Sequence, residues 1–190
     1  MTDAAPAPLF RKPRSVRGRQ LLFRDAGVDD AAFILALRTD EKKGHFLSAT
    51  APDLERQREW LARYAADTQQ VYFIICKLDG TPVGTVRLYD RRGDSFCWGS
   101  WIKSDGAPSG FGVESALMVY DFALQLGFQR AHFDVRKQNT SVCQFHERFG
   151  AVKVDENDDD YFYEMSRAAI DAALLQYRKH LPNGATVEFK

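Results

Sequence analysis

A loop with two closely spaced glycines, Gly110 and Gly112, precedes a long helix that the sequence predicts over residues 113–126. Backbone N–H groups in the first turn of a helix lack intrahelical partners, and the helix dipole is positive at that end. Glycines let the backbone approach a bound anion closely. A strand, a glycine loop and a helix in this order therefore favour phosphate binding, although an ordinary turn explains the two glycines equally well.

A second group of reactive side chains follows that helix. Alternation along the next strand places His132 and Asp134 on one face, and Asn139 can begin a helix that carries His146. A carboxylate can accept a proton, and an imidazole, whose usual pKa is about 6.5, can donate one near neutral pH. Structural alternatives remain open: Asp134 can pair with Arg136 or His132, Asn139 can cap its helix, and His146 can be a packed or solvent-facing helical residue.

The hydrophobic pattern predicts the elements that position these residues. Strands are predicted at 21–24, 71–78, 82–89, 96–103, 130–136, 151–154 and 161–165, and helices at 28–38, from 53 onward, at 113–126, 139–149 and 166–180. Asp79 and Gly80 form a strong turn signal between two of the strands. This order predicts an α/β or α+β domain, with a mixed sheet flanked by helices.

Composition limits the partners and the compartment. Residues 1–24 carry six basic residues against one acid, yet the formal net charge of the chain is zero, so no nucleic-acid partner is expected. The first 19 residues lack periodicity, which predicts a flexible basic arm over 1–19 and one domain over 20–190.

The three cysteines are far apart, which argues against a metal site or a disulfide framework. Without a long apolar run, we expect a cytoplasmic protein with no membrane partner.

The segment SGFGVESALMVYDFALQLGF, followed by a strand and then by QNTSVCQFHERFGA, resembles the two acetyl-CoA-binding motifs of the GNAT superfamily of N-acetyltransferases. The resemblance covers roughly residues 20–166, counting the early helices and the strand order. It implies a GNAT-like, mostly antiparallel central sheet and acetyl-CoA as co-substrate. In this family the amides of the glycine loop hold the pyrophosphate of coenzyme A, and an Asn after the next strand contacts the cofactor. The residues that the resemblance assigns to the cofactor are Ile102, Ser109, Gly110, Phe111, Gly112, Val113 and Asn139.

Two positions depart from the family pattern. Ala107 stands where a basic or Gln residue is usual, so that contact to the phosphates is missing or comes from elsewhere. His146 stands where a Tyr is usual. In relatives such as the ribosomal-protein acetyltransferases, a Glu five residues before the Asn is the base and the Tyr is the acid. The resemblance therefore implies Asp134 as the base and His146, roughly one-quarter protonated at neutral pH, as the acid. Glu114 is expected to stabilise the helix N-terminus.

The acceptor amine must lie opposite the cofactor, and in this family the loop between the first two helices helps to shape that pocket. Here the loop reads RTDEKKGHFLSAT, although a solvated polar loop is an equally good interpretation of it. Its candidate acceptor contacts are Arg38, Glu41, His45 and Phe46.

Two tryptophans follow on the strand before the glycine loop. Trp98 and Trp101 are three residues apart, which places them on opposite faces of a regular strand. We expect one of them in the core and the other, assigned to Trp101, in the acceptor pocket.

The run FHERFGA also resembles the branch of the family that acetylates amino sugars. We therefore predict an acetyl-CoA-dependent N-acetyltransferase that acts on the primary amine of a small molecule, with a nucleotide-linked amino sugar favoured. One alternative is RimJ/RimL-like acetylation of protein N-termini or ribosomal proteins, because one fold serves many acceptors. Another is a catalytically silent acyl-CoA-binding module. The chain is expected to be a monomer or a homodimer.

Overall fold

The computed structural model describes residues 5–40, 42–44 and 52–190. Within these ranges, none of the helices is long and apolar enough to cross a membrane. The elements are the strands β1 Pro13–Arg17, β2 Leu21–Asp25, β3 Val71–Lys77, β4 Pro82–Arg92, β5 Ser95–Lys103, β6 Arg130–Arg136, β7 Val152–Glu156, β8 Asp160–Met165 and β9 Thr186–Phe189, the helices α1 Ala31–Thr39, α2 Leu54–Ala66, α3 Phe111–Gln125, α4 Thr140–Phe149 and α5 Arg167–Gln176, and short 3-10 helices at Val28–Asp30 and Arg178–His180.

The strands form one sheet in the order β7-β8-β6-β5-β4-β3-β2-β1-β9. Among the paired strands of the described chain, only β5 and β6 run parallel, because α3 carries the chain back from the end of one to the start of the other. The β3–β4 connection turns at Gly80, whose φ of 92° is open to glycine without steric cost. This mixed, mostly antiparallel sheet flanked by helices confirms the fold class that the sequence predicts.

Helices pack on both faces of the sheet. On one face, which we call the α1–α2 face, Ile34 of α1 clusters with Tyr72 and Ile74 of β3. On the opposite face, which we call the α3–α5 face, Phe73 of β3 meets Phe122 of α3 with ring centroids 5.4 Å apart. Successive residues of a strand point to opposite faces, so β3 is apolar on both sides and its apolar run is continuous.

The N-terminal segment is part of the sheet, so the prediction of a flexible arm over residues 1–19 is wrong where that segment forms β1. β1 pairs with β2 on one side and with β9 on the other. Phe10 packs on Phe128 with ring centroids 5.0 Å apart, and Val16 is fully buried. The strand is hard to recognise in the sequence because the exposed Arg14 and Arg17 dominate its composition. Strand β9 is likewise not predicted, because four residues carry too little alternation to be recognised.

Candidate active site

The parallel strands β5 and β6 are paired over the first part of their length and then separate. Their pairing ends at Cys97 and His132, and beyond that point the described chain provides no partner for the edge of β5 that faces β6. A cavity of about 250 Å³ occupies the gap. Its walls come from β4, β5, β6 and α4, and they include Asp134 and His146. The structure therefore brings together the two residues that the sequence predicts to transfer protons.

A β-bulge in β5 forms one wall of this cavity. Thr85 pairs with Ile102 and Arg87 pairs with Gly99, so that three steps along β5 lie opposite two steps along β4. The extra residue is Ser100, whose φ of 47° is left-handed. The bulge increases the local twist of β5, and β5 and β6 part at the same level of the sheet.

The bulge also decides which way the two tryptophans point. Trp98 and Trp101 lie on the same α3–α5 face with ring centroids 5.1 Å apart, so the prediction that they face opposite sides is wrong. One extra residue shifts the alternation by one position. Trp101 donates a hydrogen bond from Nε1 to Ser115 Oγ of α3 at 3.0 Å. Trp101 lines the cavity from the side of the glycine loop, and its contact with the acceptor stays a prediction.

The glycine loop ends at Gly110, the residue before α3, which has a left-handed φ of 83°. Within the described chain, the amides of Gly112 and Val113 have no backbone acceptor in the preceding loop. They lie in the first turn of α3, where the helix dipole favours an anion. Gly112 also lies close to α4, since a Cβ there would be 3.8 Å from the ring of Phe145. This geometry suits a bound phosphate.

The other residues near the loop that the sequence assigns to the cofactor differ in which of their atoms a ligand could reach. Ser109 is exposed, and its carbonyl accepts a hydrogen bond from Gln20 Nε2 at 3.2 Å. The side chains of Ile102 and Phe111 are buried inside the protein. A ligand near the loop would therefore meet the backbone of Phe111 before its ring.

Ala107 leaves the loop without a basic side chain of its own, but other segments bring polar groups close to it. A Cβ built on Gly110 would be 3.4 Å from His180 Nδ1 and 3.8 Å from Gln20 Nε2. Gln20 precedes β2, and His180 ends the 3-10 helix after α5. Sequence spacing gives no signal for either, because both reach the loop only through the tertiary fold.

Glu114 is fully buried in the first turn of α3. Its Oε1 accepts the backbone N–H groups of Gln20 at 2.6 Å and of Leu21 at 3.1 Å. These bonds join α3 to the start of β2. The carboxylate also lies near the helix N-terminus, where a negative charge is favourable. Its position fits the predicted structural role.

Asn139 lines the cavity at the start of α4. Its side chain caps no backbone amide of that helix, so the helix-cap interpretation is wrong. Its Oδ1 accepts a hydrogen bond from Ser141 Oγ at the long distance of 3.4 Å. The amide group is therefore able to bind a ligand in the cavity.

His146 lies on α4 among aromatic rings, on the α3–α5 side of the cavity. Its ring centroid is 4.3 Å from Phe133, 5.2 Å from Trp98 and 5.9 Å from Trp101. The residue is 5% exposed, and its Nδ1 is buried with no hydrogen-bond partner in the described chain. Nε2 is consequently the ring nitrogen that can meet a reactant.

Burial lowers the pKa of His146 to about 3. The ring is therefore neutral at pH 7, and the expectation that it is partly protonated there is wrong. A neutral imidazole can donate or accept one hydrogen bond at Nε2, but it carries no extra proton to release. The low pKa of His146 could not be predicted from the sequence, because the aromatic residues that bury the ring come from three elements, β5, β6 and α4.

Asp134 points to the α1–α2 side of β6, because it alternates with the buried residues on either side of it. The side chain is exposed, yet the surrounding protein partly desolvates its carboxyl and so raises the pKa, and the negative charge of Asp160 raises it further. Arg136 lies 3.5 Å from Asp160, and His132 lies 3.3 Å from Asp90. In the described chain neither of these side chains forms an ion pair with Asp134, so the two structural alternatives for Asp134 are not realised.

Of the four acceptor candidates predicted between the first two helices, Arg38 is the one that the structure describes. It reaches from α1 to the bulge, where its Nη1 donates to Ser100 Oγ at 3.2 Å. Glu41, His45 and Phe46 lie outside the described residues, so their roles stay predictions.

Four polar residues of the cavity were not predicted as site residues: Arg87, Tyr89, Ser100 and Arg136. Arg87 and Tyr89 alternate with buried residues along β4 and therefore lie on the α1–α2 face. That alternation is visible in the sequence and could have indicated a polar strand face. It could not have shown that β4 borders the gap between β5 and β6.

Comparison with protein families gives one match, to the acetyltransferase (GNAT) domain over residues 20–152. A search among curated proteins finds no match to this chain. Among solved structures, the chain is 35% identical to FdhC, described as a nucleotide-linked sugar GNAT, with a TM-score of 0.79, covering 88% of this chain and 98% of FdhC.

Two other solved structures share the fold at lower identity. A spermidine N-acetyltransferase from Vibrio cholerae, in complex with CoA and spermine, is 16% identical with a TM-score of 0.72, covering 80% of this chain and 98% of its own. A probable GNAT-family acetyltransferase from Chromobacterium violaceum is 15% identical with a TM-score of 0.76, covering 90% of this chain and 95% of its own.

Proposed function

The chain belongs to the GNAT family of acetyltransferases, and from this premise we propose that it transfers the acetyl group of acetyl-CoA to the primary amine of a nucleotide-linked amino sugar. As a GNAT protein it is an N-acetyltransferase, and the family uses acetyl-CoA as co-substrate. The acceptor class is supported by the 35% identity to FdhC, a nucleotide-linked sugar GNAT. The acceptors of the less similar relatives differ, since one of them is a spermidine acetyltransferase.

The gap between β5 and β6 is the observation that carries this proposal. It opens the sheet between its two faces, with the imidazole of His146 on the α3–α5 side and the carboxyl of Asp134 on the α1–α2 side. Two substrates that approach from opposite faces can therefore meet inside the sheet. Holding both in one site replaces a collision in solution with a reaction between fixed neighbours.

The cofactor side has groups suited to each part of acetyl-CoA. The free amides of Gly112 and Val113 can bind the pyrophosphate. The unpaired edge of β5 beyond Cys97 can hydrogen-bond the two amides of the pantetheine arm, as a strand edge binds an extended peptide. Asn139 lies on the opposite wall with its side-chain amide available.

On the acceptor side of the cavity, Asp134 acts as the general base. An amine reaches the enzyme as an ammonium ion, and Asp134 removes one of its protons so that the nitrogen lone pair can attack the thioester carbon. The raised pKa of the Asp134 carboxyl makes it a better proton acceptor than an ordinary aspartate. A carbon–nitrogen bond forms, and the carbonyl oxygen becomes a tetrahedral oxyanion.

Collapse of that intermediate breaks the carbon–sulfur bond. The nitrogen releases a second proton as the amide forms, the leaving sulfur takes up one proton, and one proton passes to solvent. We assign to neutral His146 a hydrogen bond from its Nε2–H to the sulfur as negative charge develops there. Because water is largely excluded around the buried ring, this bond is stronger than it would be in solvent.

A thiol-release assay with the full chain and acetyl-CoA tests the proposal. The acceptors are nucleoside-diphosphate-linked amino sugars, free amino sugars, aminoglycosides, spermidine and peptides with free N-termini. We expect turnover with the nucleotide-linked amino sugars. Turnover with peptides alone would show instead a RimJ/RimL-like activity, and acetyl-CoA binding without turnover of any acceptor would show a silent module.

A further inference from the structure

Resting on the proposed function, we infer that the acceptor carries a negatively charged group, such as a phosphate or diphosphate, and that Arg87 binds it. Arg87 lies on β4 and lines the cavity from the α1–α2 face, the side that Asp134 also occupies. The site thus provides a cation for one end of the acceptor and a carboxylate for the amine at the other.

The guanidinium of Arg87 is held in place by aromatic rings and forms no ion pair within the described chain. It stacks over the ring of Tyr89 at 4.1 Å and lies 5.8 Å from the ring of Trp60. Its Nε is buried and has no hydrogen-bond partner, and no carboxylate in the described ranges forms an ion pair with it. A guanidinium offers five N–H donors in a planar fork that matches a phosphate or a carboxylate. Because Nε is closed off from solvent, a ligand would bind the two Nη groups, which donate to no side-chain or backbone acceptor in the described chain.

Arg136, which also lines the cavity, and Arg38, which reaches Ser100 in its wall, already have partners. Arg136 lies 3.5 Å from Asp160 and 3.8 Å from Asp159. Arg38 donates to Ser100 Oγ at 3.2 Å. Of the two arginines that line the cavity, Arg87 is therefore the one that forms no ion pair with a carboxylate of the described chain, and an anion is the ligand that would pair with it.

The distance across the site limits the shape of the acceptor. Arg87 and Asp134 lie on strands β4 and β6, with β5 between them. Two strand spacings amount to about 10 Å, and β5 and β6 are farther apart where their pairing has ended. A free phosphate carries no amine for Asp134, whereas an amino sugar with a diphosphate on its anomeric carbon offers an anion to Arg87 and an amine to Asp134. A polyamine has no anion for Arg87 and would be repelled by it.

Binding of nucleoside diphosphates to the coenzyme A complex tests this inference. The full chain is saturated with coenzyme A, so that its phosphate site is filled, and is then titrated calorimetrically with uridine diphosphate and with thymidine diphosphate. We expect at least one of them to bind the wild type, and R87M to weaken that binding about tenfold or more, because a charge-assisted bidentate contact is lost. R87K retains the charge and should recover part of the affinity.

Arg58→Met is the matched control, because Arg58 is exposed on α2 and pairs with Glu55 away from the cavity. It should bind both diphosphates as the wild type does. In the thiol-release assay, R87M should raise KM for the nucleotide-linked amino sugar far more than it lowers kcat, and leave KM for acetyl-CoA unchanged.

The outcomes separate the two proposals. Equal diphosphate binding by the wild type and R87M, or no diphosphate binding to the wild type, overturns the role of Arg87 while acetyl-CoA binding and turnover still support the proposed function. Failure of the wild type to bind acetyl-CoA overturns the proposed function itself. Faster turnover of spermidine than of every anionic acceptor also contradicts an anion subsite.

Discussion

Trp98 and Trp101 contact each other on one face of the sheet, with ring centroids 5.1 Å apart, although they stand three residues apart on the same strand. In a regular strand that spacing would place one ring on each side. The bulge at Ser100 adds one residue to the strand and so shifts the side-chain alternation by one position. Both rings therefore lie on the side of His146. One inserted residue therefore builds the aromatic surroundings of the site at the level where β5 and β6 part.

Deletion of Ser100 should remove this arrangement. The regular ladder between β4 and β5 would be restored, Trp101 would move to the opposite face, and acetyl-CoA binding should fall about tenfold or more. Near-ultraviolet circular dichroism and calorimetric titration with acetyl-CoA would measure the two effects. Ser100→Gly, which keeps the chain length and accepts the left-handed φ of 47°, should retain both signals. Unchanged acetyl-CoA binding in the deletion variant would contradict this role of the bulge.

Stability should depend on pH through His146. Its pKa is about 3 in the folded protein and about 6.5 unfolded, so the unfolded chain binds more protons between these values. The stabilising contribution is complete above pH 6.5 and is lost as pH falls through that window. Relative to His146→Phe, the wild type should lose about 2 kcal/mol between pH 7.5 and pH 5, measured by urea unfolding.

The same substitution has a catalytic readout. His146→Phe should lower kcat about a hundredfold with little change in KM for acetyl-CoA, because the hydrogen bond to the leaving sulfur is lost. His132→Gln is a suitable control, since His132 bonds Ser95 and Asp90 outside the cavity lining. An undiminished kcat in His146→Phe would remove the residue from the reaction.

Asp134 should determine the acid limb of the pH–rate profile. The base works only when deprotonated, and its pKa is raised first by desolvation and then by Asp160, so activity should fall at a pH above the usual carboxylate range. Asp160→Asn should move this limb to lower pH while activity persists, because one of the two raising influences is gone. Asp134→Asn should abolish the limb and most of kcat. An acid limb that stays in place in Asp160→Asn would argue against Asp134 as its origin.

Gly110→Ala should separate backbone strain from cofactor binding. Alanine at a φ of 83° costs about 1 kcal/mol, and the distorted loop should bind acetyl-CoA several-fold more weakly. Gly80→Ala places a comparable strain, at a φ of 92°, in a hairpin turn with no atom within 4 Å of the new Cβ. Both variants should unfold at lower temperature, but only Gly110→Ala should raise KM for acetyl-CoA. Equal KM values would exclude the loop from the phosphate site.

Much of the fold can be read from local patterns, because most elements carry their own signals. The continuous apolar run of β3, the turn at Gly80 and the cap of α2, where Asp53 accepts from Arg56 N, lie within a few residues of the chain. β1 and β9 lack such signals. They pair with each other from opposite ends of the sequence, and together with the pairing of β1 to β2 this contact makes the segment around Val16 part of the core.

The family was predicted from the sequence, because the glycine loop and the segment from Asp134 through Asn139 to His146 resemble the GNAT motifs. Those features are local, and their chemistry follows from residue type. The tertiary structure alone decided the charge state of His146, which depends on rings from three elements, and the direction of Trp101, which depends on the bulge. It also decided that Arg87 borders the site and forms no ion pair with the carboxylates of the described chain. These properties depend on which residues are neighbours in space: burial sets a pKa, a bulge changes the side-chain alternation, and ion pairs need a nearby partner. The order of residues along the chain does not show which residues become neighbours.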